Sequence, residues 1–82
     1  MRIDKFINAV NLTKRRAVAQ DMIAHDAVWL NGAPVKPAKQ VKVGDVIEFR
    51  YLESTQKFEV LQIPVTKSIP KSAKSEYVKE VS

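Results

Sequence analysis

Leu12-Thr13-Lys14-Arg15-Arg16-Ala17-Val18-Ala19 joins two stretches of helical pattern, and its reading decides the fold. Upstream, Ile3, Phe6, Ile7 and Val10 follow the i, i+3, i+4, i+7 spacing of one helix face, with Arg2, Lys5 and Asn8 on other faces. A first helix is expected over about residues 2–10, with Asp4 in its first turn, where a carboxylate favours the dipole. Downstream, Val18, Ala19, Met22 and Ile23 form the apolar face of a second helix running to about His25. Thr13 is its candidate N-cap. Two short helices with so brief a link must pack on each other. The triplet Lys14-Arg15-Arg16 then stands at the wrong end of a helix for cations. That end already carries unpaired N–H groups and about half a positive charge. Something negative is expected nearby, and Arg forks beside free N–H groups suit a phosphate. On this reading, removing Arg16 relieves repulsion and costs little stability.

Further along, Asp26 occupies the position where a left-handed glycine would end the second helix. Val28-Trp29-Leu30 alternates like a strand, and Asn31-Gly32 is a strong hairpin signal. The return Ala33-Pro34-Val35 contains a proline, which implies a short or edge strand. An irregular basic loop, Lys36 to Lys42, leads to a Gly44-Asp45 turn. Val46 to Tyr51 and Lys57 to Ile63 read as two more strands. The fold class is therefore α+β: two packed helices followed by a small, mostly antiparallel sheet in a single domain. That domain is expected over residues 1–63. Residues 64–82 read as a loosely packed or partly disordered tail, with a short helix near Tyr77 and Val78.

Composition narrows the function. The 82 residues suffice for one small domain, and 45% of them are apolar, enough for a core. The net charge is +5. It is concentrated in residues 1–50, with nine Lys/Arg against five Asp/Glu, while residues 51–82 hold five against four. An anionic partner is implied, nucleic acid before an acidic membrane surface. There is no cysteine, so disulfides and thiolate metal sites are excluded and a cytoplasmic setting fits. Asp4 and Lys5 interrupt the only early apolar stretch, so no signal peptide is expected.

Taken together, Arg2-Ile3-Asp4-Lys5-Phe6, Lys14-Arg15-Arg16-Ala17-Val18-Ala19, Val28-Trp29-Leu30-Asn31-Gly32, Lys36-Pro37-Ala38-Lys39 and Val43-Gly44-Asp45-Val46-Ile47 resemble the RNA-binding domain named after small-subunit ribosomal protein S-four, with its αL motif. The likeness covers about residues 1–50. It is greatest to small stand-alone members, the ribosome-binding proteins of heat shock and of bacterial ribosome-associated quality control. The resemblance implies a protein that binds large-subunit ribosomal RNA and tRNA on stalled large ribosomal subunits; a cytoplasmic monomer is expected. The resemblance places RNA contacts on Arg2, Lys5, Lys14, Arg16, Lys36 and Lys39; Arg15 of the same triplet is added to them, and Asn31, Lys42 and Trp29, the last a departure from the family pattern, are further candidates. Lys74 lies in the unpatterned tail, outside this set.

Two of these positions have competing readings. Asn31 is explained by the tight turn alone. Trp29, pointing away from Val28 and Leu30, is either a base-stacking platform or a ring covered by Ile63, Val65 or Ile69 of the tail. Catalytic patterns are missing from the sequence. His25 is the only histidine and has no partner at metal-ligand spacing, Asp21 and Asp26 make no acid/base pair, and there is no phosphate-cradling glycine loop or nucleophile elbow. No enzyme, cofactor, metal, membrane or small-molecule substrate is expected. The rival readings are a general structured-RNA binder without a stalling role, a helix-turn-helix DNA-binding module and a protein-interaction adaptor.

Overall fold

The computed structural model describes residues 1–81; Ser82, at the end of the expected tail, lies outside them. Helix α1 is Ile3–Ala9 and α2 is Arg16–Ala24. The α1 stripe behaves as its spacing requires: Ile3, Phe6, Ile7 and Val10 are fully buried. On α2, Ala19 and Ile23 are buried and Met22 packs against the core, but Val18, expected on that face, is largely exposed.

Both helices end in the same device. Asn11 (φ 63°) and Asp26 (φ 56°) are left-handed. After α1, Asn11 N–H bonds to Asn8 O and Leu12 N–H to Ile7 O. After α2, Asp26 N–H bonds to Ile23 O and Ala27 N–H to Met22 O. These paired bonds close the last carbonyls of each helix as a Schellman motif. The start of α2 differs from expectation. Arg15 is its N-cap in extended conformation (φ −138°, ψ 145°), without a side-chain cap, and Thr13 Oγ1 instead donates to Arg15 O. Lys14 and Arg15 therefore precede the helix.

The sheet holds β1 (Val28–Leu30), β2 (Ala33–Pro34), β3 (Val46–Arg50), β4 (Thr55–Val60) and β5 (Val78–Val81). Their order is β2-β1-β3-β4-β5, with every pair antiparallel. Leu30 pairs with Ala33, so Asn31 and Gly32 form a two-residue turn, with φ of 52° and 85°. Positive φ at both is what the favoured hairpin turn demands. Pro34 sits on the edge strand, where its missing N–H costs no ladder bond. Val28, Leu30, Ile47, Phe49, Phe58, Val60 and Val78 alternate onto one buried face and share a single core with the helices.

The last third of the chain is more ordered than its sequence suggests. Strand β4 begins and ends earlier than expected, at Thr55 and Val60. After it, Pro64 and Ile69 are buried, a 3-10 turn (Lys71–Ala73) leads into a one-turn helix α3 (Lys74–Tyr77), and β5 pairs with β4. Within residues 64–81, Pro64, Ile69 and Val78 are thus buried and β5 is tied to the sheet. Weak local pattern concealed this, because the strand gains its hydrogen bonds from a partner about 20 residues away.

Candidate nucleic-acid interface

Asp4 organises the basic residues at the start of the chain. Its carboxylate is fully buried, a position a charge tolerates only when paired and hydrogen-bonded. It accepts Nε and Nη2 of Arg2 at 3.2 and 3.1 Å, Nε and Nη2 of Arg16 at 3.2 Å each, Nε2 of Gln20 at 3.0 Å and the Lys5 N–H at 2.8 Å. Burial pushes its pKa up, but the bonds from Gln20, Arg16 and Lys5 and the Arg16 charge outweigh that and hold it below the ordinary value. The negative group expected near the second helix is therefore internal. One carboxylate fixes two guanidiniums from different helices, whose side chains stay 40% and 39% exposed. Each fork spends two N–H groups on Asp4 and keeps others for a ligand.

The basic loop is stitched to the same place. Ile3 N–H donates to Lys39 O at 2.7 Å, Asp4 N–H to Pro37 O at 3.4 Å and Val41 N–H to Met1 O at 2.9 Å. The N-terminal amine reaches Gln40 Oε1 at 3.0 Å. Lys36 and Lys39, both exposed, thus belong to a segment fixed beside Arg2 and the start of α1. Lys5 and Arg16 also share the lining of a shallow groove of about 480 Å³ with Met1, Asn8, Val65, Thr66 and Lys67. Arg15 is exposed just before Arg16. Arg2, Lys5, Arg16, Lys36 and Lys39 therefore form one basic rim, with Arg15 next to Arg16 in the chain, while Lys14 lines a separate groove.

The three further candidates lie elsewhere. Asn31 Nδ2 donates to Asp45 Oδ1 at 3.0 Å and its Oδ1 accepts the Val46 N–H at 2.9 Å. Asp45 Oδ2 accepts the Lys42 N–H at 2.9 Å. Asn31 and the Lys42 backbone thus clip the hairpin to the Gly44-Asp45 turn, leaving the Lys42 side chain exposed. Trp29 sits on the outer face of the sheet. Its Nε1 donates to Asp26 O, and the Arg50 guanidinium lies 3.5 Å from its ring centre, braced by Glu48. The Arg50 guanidinium covers the ring, and Val65, one of the tail residues offered for that place, is 99% exposed. The contact adds about 0.5–1 kcal/mol at an exposed site.

Residues 1–47 match the S4 domain family model. The chain belongs to the S4 domain family. Over 78 residues, 95% of this chain and 93% of the relative, it is 49% identical to the RQC P-site tRNA stabilizing factor of Helicobacter pylori strain J99. The Bacillus subtilis factor of the same name is 32% identical over 71 residues, 87% of this chain and 79% of that one. Among solved structures, the solution structure of a protein described only as hypothetical matches with a TM-score of 0.86 and 44% identity, covering 100% of this chain and 98% of its own. Vibrio cholerae Heat Shock Protein 15, solved as a trimer, matches with a TM-score of 0.88 over 100% of this chain and 82% of its own; at 24% identity it shows the fold alone. The S4 match ends inside β3, so β4, α3 and β5 lie beyond it.

The sequence offers Arg2 and Arg16 as candidates but does not show the carboxylate that holds both. By sequence Asp4 is only a carboxylate favouring the helix dipole, and Gln20, which donates to it, carries no signal of its own. The usable signal was local spacing: Arg2 and Asp4 flank the start of one helix, while Arg16 and Gln20 stand one turn apart on the next.

Proposed function

We propose that this chain is a non-catalytic RNA-binding protein that occupies large ribosomal subunits carrying a trapped peptidyl-tRNA, touching ribosomal RNA and tRNA together. The observation that carries the reading is the Asp4 hub. It holds the Arg2 and Arg16 forks in place beside a pinned, lysine-bearing loop. Preset guanidiniums suit the paired oxygens of phosphate, and lysines add point charges. Structured RNA presents such phosphates in dense rows, so recognition is by shape and charge. The 49% identical relative is named for stabilizing P-site tRNA, which narrows the RNA to that class. A rim that spans the starts of both helices and the pinned loop lets weak contacts to two RNAs act together at high effective concentration, so occupancy depends on both RNAs being present. The protein then acts as a cytoplasmic monomer that holds the tRNA while other factors work.

Co-sedimentation with purified large subunits, with and without trapped peptidyl-tRNA, tests this. Preferential binding to the loaded subunits is expected. Equal binding would leave a general ribosomal-RNA binder. A competition in which duplex DNA displaces the protein as well as structured RNA does would favour the DNA-binding alternative.

A further inference from the structure

A second groove, of about 450 Å³, is lined by Asn11, Leu12, Thr13, Lys14, Lys71 and Lys74. Its three lysines come from segments nearly 60 residues apart, the α1–α2 connection and the 3-10 turn leading into α3. Their placement is fixed by the backbone. Ile69 is buried, its N–H donates to Ala9 O at 3.0 Å, and Asn11 Nδ2 donates to Ile69 O at 2.9 Å. Lys71 follows two residues later. Lys74 is half-buried, with its ammonium 5.8 Å from the Phe58 ring centre. Among the described residues, none of the three lysines lies within ion-pair distance of a carboxylate. Three unpaired cations brought to one groove repel one another, and an anion entering it removes that repulsion.

We infer that this groove is a second phosphate-binding surface, formed jointly by Lys14 and the C-terminal segment, and that it takes the sugar-phosphate backbone of the same bound RNA. The inference rests on the RNA-binding reading above and extends its surface beyond the S4 match, which ends at residue 47. Continuity favours a polymer over a small anion. Lys14 and Arg16 are two residues apart, and each lines one groove. The segment from Val65 to Lys74 supplies Lys67 to the first groove and Lys71 and Lys74 to the second. A basic track therefore crosses the connection between the helices, with exposed Arg15 between its two ends. Lysines suit this task, since flexible point charges follow a backbone without demanding a fixed oxygen pair.

The test compares four full-length proteins: wild type, Arg16→Gln, the double variant Lys71→Gln/Lys74→Gln, and Lys57→Gln as an exposed control on β4. Glutamine keeps much of the Lys74 stem over Phe58, and melting curves verify that each variant folds. Each is titrated onto purified large subunits carrying peptidyl-tRNA across a range of KCl concentrations. The double variant is expected to bind about fivefold to tenfold more weakly at low salt. Its slope of log affinity against log salt is expected to be shallower by about 1.4, at roughly 0.7 per lost phosphate contact. The control should match wild type. If the double variant also matches wild type while Arg16→Gln weakens binding, the second groove is rejected and the proposed function stands. A weaker double variant with an unchanged slope also rejects it, since packing rather than phosphate contact would then be lost. Failure of wild type to bind the subunits removes both readings.

Discussion

A buried carboxylate that serves two arginines makes Asp4 the residue on which the placement of Arg2 and Arg16 depends. Asp4→Asn keeps the volume but removes the charge, leaving Arg2 and Arg16 side by side without their common anion. Breaking a fully buried pair costs about 3–5 kcal/mol. Both arginines here reach water, so about 2 kcal/mol is expected, seen as a fall of roughly 10 °C in melting temperature. The same carboxylate gives an acid dependence. Its folded pKa lies below the unfolded value of about 3.9, so the unfolded chain binds more protons and stability rises with pH. The contribution is complete above that value and lost as pH falls through the folded pKa. Melting between neutral pH and about pH 2.5 should show this loss in wild type and a smaller one in Asp4→Asn. Equal acid sensitivity would show that other carboxylates carry it. The hub also reverses the expectation for Arg16: its removal costs an ion pair instead of relieving repulsion, so Arg16→Ala should melt below wild type. Asn31 shows the opposite division of labour. Its side chain is spent on Asp45 and Val46, and its φ of 52° is a conformation that asparagine adopts more readily than alanine. Asn31→Ala should cost about 2–4 kcal/mol in a urea titration while leaving the salt slope of RNA binding unchanged. An unchanged melt with a shallower slope would place Asn31 in the interface.

Among the elements, the helix ends offer the clearest test. Asp26 takes the left-handed position that closes α2, with a carboxylate near the last carbonyls of the helix, where negative charge is unfavourable. Asp26→Gly removes both penalties and leaves the backbone bonds of the cap in place, including the carbonyl that Trp29 uses. A gain of about 0.5–1 kcal/mol is expected, measurable as a higher denaturation midpoint. A loss would mean that the aspartate side chain has a structural role of its own. The cap was legible in the sequence because Asp26 ends the α2 pattern and an alternating strand begins two residues later. The hairpin was legible for a similar reason, since Asn31-Gly32 between apolar alternations leaves few other conformations. The start of α2 was not. Lys14 and Arg15 have good helical propensity, and only the extended backbone at Arg15 shows that the helix waits for Arg16. Strand β5 was also hidden, because Val78-Lys79-Glu80-Val81 does not alternate with the period of a strand. Its identity comes from the open edge of β4.

For the whole molecule, the distribution of charge yields one quantity that separates the competing surfaces. The basic rim read from the sequence and held by Asp4 offers about five phosphate contacts, through Arg2, Lys5, Arg16, Lys36 and Lys39. At roughly 0.7 per contact, log affinity should fall against log salt with a slope of about −3 to −4. Adding Lys14, Lys71 and Lys74 steepens the slope to between about −5 and −6. The rim lay within reach of sequence reasoning because its motifs are local and ordered along the first 50 residues. The second groove did not, because Lys71 and Lys74 meet Lys14 only when Ile69 docks against the end of α1. Salt titration of wild type on loaded large subunits measures the sum, and Arg2→Ala then calibrates one contact. That variant leaves Arg16 on Asp4, so it should fold, bind more weakly and flatten the slope by about 0.7. A flat response in wild type would mean that apolar docking dominates. The exposed Tyr51 and Leu52 at the β3–β4 turn would then be the surface to test, in favour of the adaptor reading. A slope near −3.5 that Lys71→Gln/Lys74→Gln leaves unchanged would confine binding to the rim. A slope beyond −5 that the same variant lowers would extend the RNA path across both grooves, from the chain start to α3.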